Sequence, residues 1–291
     1  MIIVIGKSGQ LAQACAERFT QLSVPFACLG RTDIDVFDQT AIEQTLNNYS
    51  DITAIINASA YTAVDKAEEE REQALALNCT AVGLLSDYAK GLGVPFIHIS
   101  TDYVFSGKGN TPYLPDDAYQ PVNAYGETKM LGERAALSCY PEGTCILRTS
   151  WVYSEFGNNF VKTMLRLFSE REQVNVVMDQ VGAPTSAHTL AKACHEVIVN
   201  SVTGVHHVCD FGVTSWYDFA IAIYTLAQKQ DYAFGDVSIQ PIGSEAFPTP
   251  AARPNYSVLS TVSLRQQLPD LQLSHWQAPL SDVIKRIQHT K

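Results

Sequence analysis

Positive charge is scarce in this chain: 20 Lys and Arg face 30 Asp and Glu, a formal net charge of −10. Binding to a phosphate backbone needs a basic stripe, so no nucleic-acid partner is expected, and an anionic ligand must be met by local cations. No apolar run approaches the roughly 20 residues of a membrane span, so no membrane association is expected. The seven cysteines (15, 28, 79, 139, 145, 194 and 209) include no C-x-x-C pair. That removes a zinc ribbon and a disulfide framework and predicts reduced thiols. Ser8 and Ser100 lack a G-x-S-x-G setting, which disfavours a hydrolase elbow. The first residues, MIIVIG, have neither the basic flank nor the cleavage site of a signal peptide, so they read as a buried strand and the expected location is cytoplasmic.

What is present is the profile of a soluble globular protein: 46% hydrophobic and 17% charged residues over 291 positions, enough for one large or two closely joined domains. Five short apolar runs, MIIVIG, VPFACLG, ITAIINASA, VPFIHIS and GTCILRTS, punctuate the first half. They are rich in Val, Ile and Phe, as strands buried on both faces of a parallel sheet are. Segments 10–22, 39–49, 65–91 and 124–138 lie between them and carry helical apolar spacing. The alternation predicts a doubly wound α/β sheet. Beyond residue 150 the pattern loosens, although REQVNVVMD and GVHHVCD still read as strands, and a smaller carboxy-terminal lobe is expected. Ser215 or Thr214 caps a helix there, with Asp218 completing a capping box. The proline-punctuated loop FPTPAARP (247–254) makes Arg253 a candidate ligand contact.

Directly after the first strand comes GKSGQLAQA, giving Gly6-x-x-Gly9-x-x-Ala12 and then a helix. A turn without side chains lets backbone N–H groups and a helix amino terminus approach a pyrophosphate, which nominates Gly6, Ser8, Gly9, Gln10 and Leu11 for a dinucleotide. The second strand ends ACLGRTDID. An acid here takes ribose hydroxyls, whereas an arginine accepts a 2′-phosphate. Arg31 comes first, so NADPH is the expected cofactor, with NADH use left open; a solvated surface arginine is the even alternative. Asp35 and Val36 complete the expected rim.

Thr101 stands at the end of the fourth strand, where open α/β sheets bind ligands. On the helix that follows, Tyr125 and Lys129 are four apart and share a face. A hydroxyl to hold a carbonyl oxygen, a phenol as acid and an ammonium to tune it are what a carbonyl reductase needs. Thr101, Tyr125 and Lys129 are therefore the expected catalytic residues. His98, His206 and His207 lie in strand-like contexts with no metal-ligand spacing and read as structural residues.

The order Gly6-x-x-Gly9, NASAYTAVDKAE, STDYVF, YGETK, RTSWVY, GNNFV, DQVGAPT, TSWYDFA and AARP resembles the dTDP-4-dehydrorhamnose reductase family of extended short-chain dehydrogenases/reductases over nearly the whole chain. The resemblance implies an NAD(P)-binding Rossmann domain over 1–150, re-entered around 170–185, and mainly a sugar-nucleotide-binding lobe over 151–291. It implies NADPH-dependent reduction of the 4-keto group of dTDP-4-dehydro-L-rhamnose, with Thr101, Tyr125 and Lys129 in the catalytic positions. By motif, Ala58, Ser59, Ala60 and Tyr61 would line the cofactor, with Tyr125 and Lys129 reaching it. Thr101, Tyr103, Tyr125, Trp151 and Arg253 would meet the dTDP-sugar. Some members are homodimers bridged by magnesium through glutamates, one of them in the first helix. Ala14 stands at that position, so no metal is expected, while a homodimer stays open. The alternatives are a reductase or epimerase for another dTDP-4-keto-6-deoxyhexose, or a cofactor-binding regulatory subunit similar to the β subunit of methionine adenosyltransferase.

Overall fold

The computed structural model describes residues 1–289. Five short strands form in the first half: β1 (Ile2–Ile5), β2 (Phe26–Leu29), β3 (Ala54–Asn57), β4 (Phe96–Thr101) and β5 (Thr144–Thr149). The second half contributes β6 (Val152–Tyr153), β7 (Gln173–Val177), β8 (Val181–Gly182), β9 (Thr185–Ser186), β10 (Gly204–His207), β11 (Thr214–Ser215) and β12 (Ser238–Ile242). The main sheet has six strands in the order β10-β5-β4-β3-β1-β2, every pair parallel. The order reverses between β1 and β3, and in open α/β sheets a ligand crevice opens at the carboxyl ends of such a pair.

Alternation along the strands explains the two layers of helices. Ile2, Val4, Ile56 and Ile97 face Phe19 of α1 (Gln10–Gln21), together with Leu190 and Val197 from farther along the chain. Ile3, Ile55, Phe96 and Ile146 face the other way, against Ile42 of α2 (Gln39–Leu46) and Leu85. A strand buried on both sides has no polar face, so these runs read as unbroken apolar sequence. The third crossover is less regular than its spacing predicts. A 3-10 turn over Lys66–Glu68 precedes α3 (Arg71–Leu75), a π-helical turn over Ala76–Thr80 and α4 (Ala81–Leu92). The wide turn points buried Asn78 inward, where it accepts from Tyr61 N at 2.8 Å and donates to Thr128 Oγ1 at 3.0 Å. That ties the crossover to α5 (Ala124–Cys139).

The chain rejoins the main sheet at β10, through Gly204–His207. Residues 173–177 pair instead with β12 in a separate two-stranded sheet. The reason lies in burial: β7 alternates between exposed and buried positions, a one-sided strand that a doubly covered sheet would not accommodate. A second core gathers α6 (Phe160–Glu170), α8 (Trp216–Gln228) and α10 (Gln277–His289) around Phe168, Phe219 and Ile284. Between them in sequence, α7 (Ala187–Val199) packs on α1, and α9 (Val262–Gln267) is a short turn of helix. Ser215 caps α8, accepting from Asp218 N at 3.0 Å. Among the described residues no helix is long and apolar enough to cross a membrane.

Candidate active site

The glycine loop is shaped by an approach that a side chain would prevent. Gly6 has φ +111°, and a Cβ there would come within 2.9 Å of the backbone of Ala58 and Ser59. Gly9 N donates to Gly6 O at 2.8 Å, and α1 begins at the next residue with no side chain capping its amino end. Its first backbone N–H groups therefore face the crevice between the ends of β1 and β3. A cavity of about 1020 Å³ opens there, large enough for a dinucleotide fragment. Gly6, Ser8, Gly9, Arg31, Asp35, Val36, Ala58, Ser59, Ala60 and Tyr61 all line it. The donor set and the bare cradle fit a pyrophosphate-bearing cofactor.

Four expected cofactor residues lie outside this lining. The Leu11 side chain is buried in the core beneath α1, where an apolar helix face belongs. Gln10 turns away from the cavity, accepting from Ser154 Oγ at 2.8 Å and Asn159 Nδ2 at 2.9 Å. These two residues offer the cofactor site only the N–H groups of the helix start. Tyr125 and Lys129 lie outside the cavity wall as well, although Tyr61, which lines it, packs with Tyr125 around Ala67, Ala74 and Ala124. At the end of β2, Asp33 is turned from the cavity: it accepts from Gly30 N at 2.9 Å and Lys7 Nζ at 3.3 Å, and both interactions hold its carboxyl below the ordinary value. Arg31 remains on the cavity wall. Phe37 and Lys66, which the sequence reading did not single out, also line it.

The catalytic candidates gather at the carboxyl end of β4. Thr101 is its last residue, with Oγ1 donating to Asp102 Oδ1 at 3.0 Å and accepting from Tyr103 N at 3.2 Å. Tyr125 opens the first turn of α5, which Asn123 caps by accepting from Gly126 N at 2.8 Å. Gly126 permits this seat, since a Cβ would meet Tyr103 O at 2.1 Å. Burial pushes the Tyr125 phenol well above its ordinary value, and a hydrogen bond with Thr101 opposes the shift. Lys129 is 1% exposed, and burial lowers its ammonium from 10.5 to about 8. Its Nζ donates to Ile99 O at 2.6 Å and lies 3.1 Å from His98 Nε2. Burial thus dominates the Tyr125 phenol, and the polar contacts of Lys129 run toward β4.

Around this centre lie the expected sugar-side residues. The Tyr103 ring packs edge-on to Tyr125 at 5.7 Å; burial pushes its phenol up to about 12, and the nearby Arg253 guanidinium opposes the shift. Arg253 Nη2 in turn lies 2.7 Å from Asp65 Oδ2. Trp151 has φ +49°, a left-handed conformation that a bulky residue rarely adopts, and stacks on Trp216 with centroids 3.5 Å apart. Gly182 leaves room for it, since a Cβ there would meet the Trp151 indole at 2.8 Å and Ser257 Oγ at 3.0 Å. Trp151 and Ser257 thus share the space beside Gly182. Asp102 is 2% exposed, and burial raises its carboxyl to about 6.

Asp65, Asp102 and Trp216 touch candidate residues without having been singled out in the sequence. Asp65 and Trp216 do fall inside the motifs NASAYTAVDKAE and TSWYDFA, and Asp102 follows Thr101 directly. A second group, Glu17, Glu155 and His188, has the composition of a metal site. Arg286 Nη1 sits 2.8 Å from Glu17 and 3.2 Å from Glu155, while His188 Nε2 is 2.9 Å from Glu155. The Arg286 guanidinium and the His188 ring thus already meet these carboxylates, and Ala14 is buried in the core.

Comparison with known proteins agrees with this geometry along the whole chain. Residues 1–289 match the family model of the RmlD substrate binding domain. The dTDP-4-dehydrorhamnose reductase of Escherichia coli (strain K12) is 39% identical over 295 residues, covering 98% of this chain and 97% of that one. A solved dTDP-4-dehydrorhamnose reductase from Clostridium acetobutylicum superposes with a TM-score of 0.92 at 35% identity, covering 99% of each chain. Another, from Bacillus anthracis and in complex with NADP, gives 0.91 at 33% identity over 98% of each chain. With its full-length match and a continuous fold in common, this chain belongs to the RmlD substrate binding domain family, alongside the dTDP-4-dehydrorhamnose reductases.

Proposed function

We propose that this protein is an NADPH-dependent oxidoreductase that reduces the 4-keto group of dTDP-4-dehydro-L-rhamnose to give dTDP-L-rhamnose. The observation that carries the reading is the meeting of Thr101, Tyr125 and buried Lys129 at the end of β4, beside a glycine-lined crevice. Bound NADPH supplies the hydride to the C4 carbon. Gly6, Gly9 and the start of α1 offer bare N–H groups to the pyrophosphate, and Arg31 offers a cation to the 2′-phosphate. Thr101 holds the carbonyl oxygen. Tyr125, kept protonated by burial, gives its phenolic proton to that oxygen as negative charge develops there. Lys129, as an ammonium, steadies the phenolate left behind and binds the nicotinamide ribose.

Tyr103, Trp151 and Arg253 are assigned to the sugar nucleotide. Arg253 supports the diphosphate because it is a cation on a loop beside Tyr103 in a protein of net negative charge. The division of labour we propose gives 1–150 to the cofactor and mainly 151–291 to the sugar nucleotide. The contact between Asp65 and Arg253 supports a substrate cleft between the two portions. The test is NADPH absorbance with purified protein and dTDP-4-keto-6-deoxyhexoses, with and without the epimerase that precedes this step. Oxidation that requires the epimerase supports the L-rhamnose substrate; oxidation without it assigns another 4-keto sugar.

A further inference from the structure

His98 occupies the middle of a buried line that runs from the end of β3 to α5. Its Nδ1 lies 3.2 Å from Asn57 Nδ2 and its Nε2 3.1 Å from Lys129 Nζ, and none of the three side chains exceeds 1% exposure. Ser59 fixes the direction of the line. Its backbone N–H can only donate, and it reaches Asn57 Oδ1 at 3.1 Å, joined by Ser59 Oγ at 2.6 Å. The amide oxygen therefore faces Ser59, and the NH₂ group faces the ring. Asn57 thus calls for a lone pair on Nδ1, which puts the single proton of a neutral imidazole on Nε2. There it meets Lys129. A ring N–H is attracted to the lone pair of an amine and repelled by an ammonium. The other tautomer accepts from an ammonium but sets Nδ1–H against the Asn57 NH₂ group. While Lys129 is charged, one ring cannot satisfy both neighbours.

We propose that His98 is a positioning residue for the reduction: a tautomeric relay with its proton on Nε2 when Lys129 is an amine and on Nδ1 when Lys129 is an ammonium. Asn57, through this ring, disfavours the charged lysine. The inference rests on the assignment of Lys129 as the partner of Tyr125. Burial acts in the same direction on Lys129, and it holds His98 well below the ordinary histidine value, with Lys129 adding to the shift, so the ring changes tautomer without charging. The charge opposing it is Glu133, one turn farther along α5, which favours the ammonium. That carboxylate is shared with Arg148 at 2.7 Å, Tyr119 at 2.8 Å and Ser100. Tyr125, four residues back on the same helix, is the other titratable neighbour.

The ring itself provides the test. In protein carrying ¹⁵N-histidine, two-bond proton–nitrogen spectra over roughly pH 6.5–9.5, the range in which a buried lysine of this kind titrates, should show the relay. His98, assigned by its loss in His98→Gln or by its proximity to the Phe96 ring, should pass from protonated Nδ1 to protonated Nε2. A ring that keeps one tautomer throughout overturns the proposal, and this readout needs neither sugar nor cofactor. A protein that shows the relay but reduces no keto sugar would refute the assigned reaction and leave the relay standing. In turnover, His98→Gln gives Lys129 an amide oxygen with no tautomer to exchange. The alkaline limb of kcat/KM should then rise by about one pH unit, whereas a merely structural loss would lower the rate equally at every pH. An unmoved limb in the folded variant overturns the proposal as well.

Discussion

Arg253 and Asp65, 188 positions apart in the chain, form an ion pair of 2.7 Å that closes the loop 247–254 onto the turn before Lys66. Asp65 also accepts from Ala251 N at 3.2 Å, so one carboxylate fixes both the backbone and the cation of that loop. A diphosphate meeting Arg253 joins a guanidinium already held in place, which reduces the ordering that binding requires. Arg253→Ala should raise KM for the sugar nucleotide by roughly 10–100-fold, the worth of a charge-assisted hydrogen bond. NADPH affinity should stay near wild type. Steady-state kinetics with each substrate varied separately checks this, and an unchanged sugar KM would place Arg253 outside the diphosphate site.

Gly6→Ala tests the cradle. The added methyl meets backbone atoms of Ala58 and Ser59 at 2.9 Å, and the φ of +111° strains any residue with a Cβ. NADPH affinity should fall by more than an order of magnitude, with a loss of stability of about 1–3 kcal/mol. Fluorescence titration and thermal unfolding of the same preparation measure both, and wild-type NADPH affinity would refute the cradle.

Arg31→Ala tests cofactor choice. Asp33, the acid closest in sequence to the end of β2, is engaged by Gly30 N and Lys7, whereas Arg31 lies on the cavity wall. The variant should lose most of a modest preference for NADPH, leaving NADH use nearly unchanged. An unaltered ratio of the two specificity constants would remove Arg31 from the 2′-phosphate site.

Tyr125→Phe keeps the ring and its packing against Tyr103 while removing the proton donor. The fold and NADPH binding should survive, and kcat should fall on the order of 10²–10⁴-fold. Lys129→Met should lower kcat and weaken NADPH binding, and the double variant should be far from additive, because without the phenol there is no acid to tune. The pH dependence follows from the lowered lysine value. The ammonium is present below about 8 and is lost as pH rises through it, so the rate should decline above about pH 8. For stability the sign is reversed. The unfolded chain holds this proton up to 10.5, so charging Lys129 destabilises the fold below about 8, and the cost fades between the two values. Lys129→Met should therefore raise the melting temperature at pH 7 and lose that advantage toward pH 10. Equal melting curves for wild type and variant at pH 7 would contradict this burial cost.

Chelation tests the metal expectation. Arg286 already pairs with Glu17 and Glu155, the His188 ring lies against Glu155, and hydride transfer with a phenol acid calls for no Lewis acid. Exhaustive chelator treatment should leave kcat/KM unchanged. A loss restored by magnesium would show that the cluster displaces Arg286 to take an ion.

Local pattern in the sequence was sufficient for the elements whose environment is uniform along their length. The five apolar runs of the first half are buried on both faces, so any window of residues shows the same signal, and the glycine loop is legible because its constraint lies within a few residues of itself. The i, i+4 spacing of Tyr125 and Lys129 likewise comes from helix geometry alone. Tertiary structure decided whatever depends on residues far apart in the chain. The return to the main sheet at Gly204–His207 depends on β5 offering a free edge, which no local spacing encodes. Gln10 and Leu11 satisfy the glycine-loop pattern, yet their side chains answer to Ser154, Asn159 and the core. Asp65 meets Arg253 across 188 positions, and Asn57 meets His98, and through it Lys129, only once β3 and β4 lie side by side with α5 packed on them. Hydrogen bonds and charges act over a few ångströms of space whatever the separation in sequence, so the partners that set a proton's position became visible only in the folded chain.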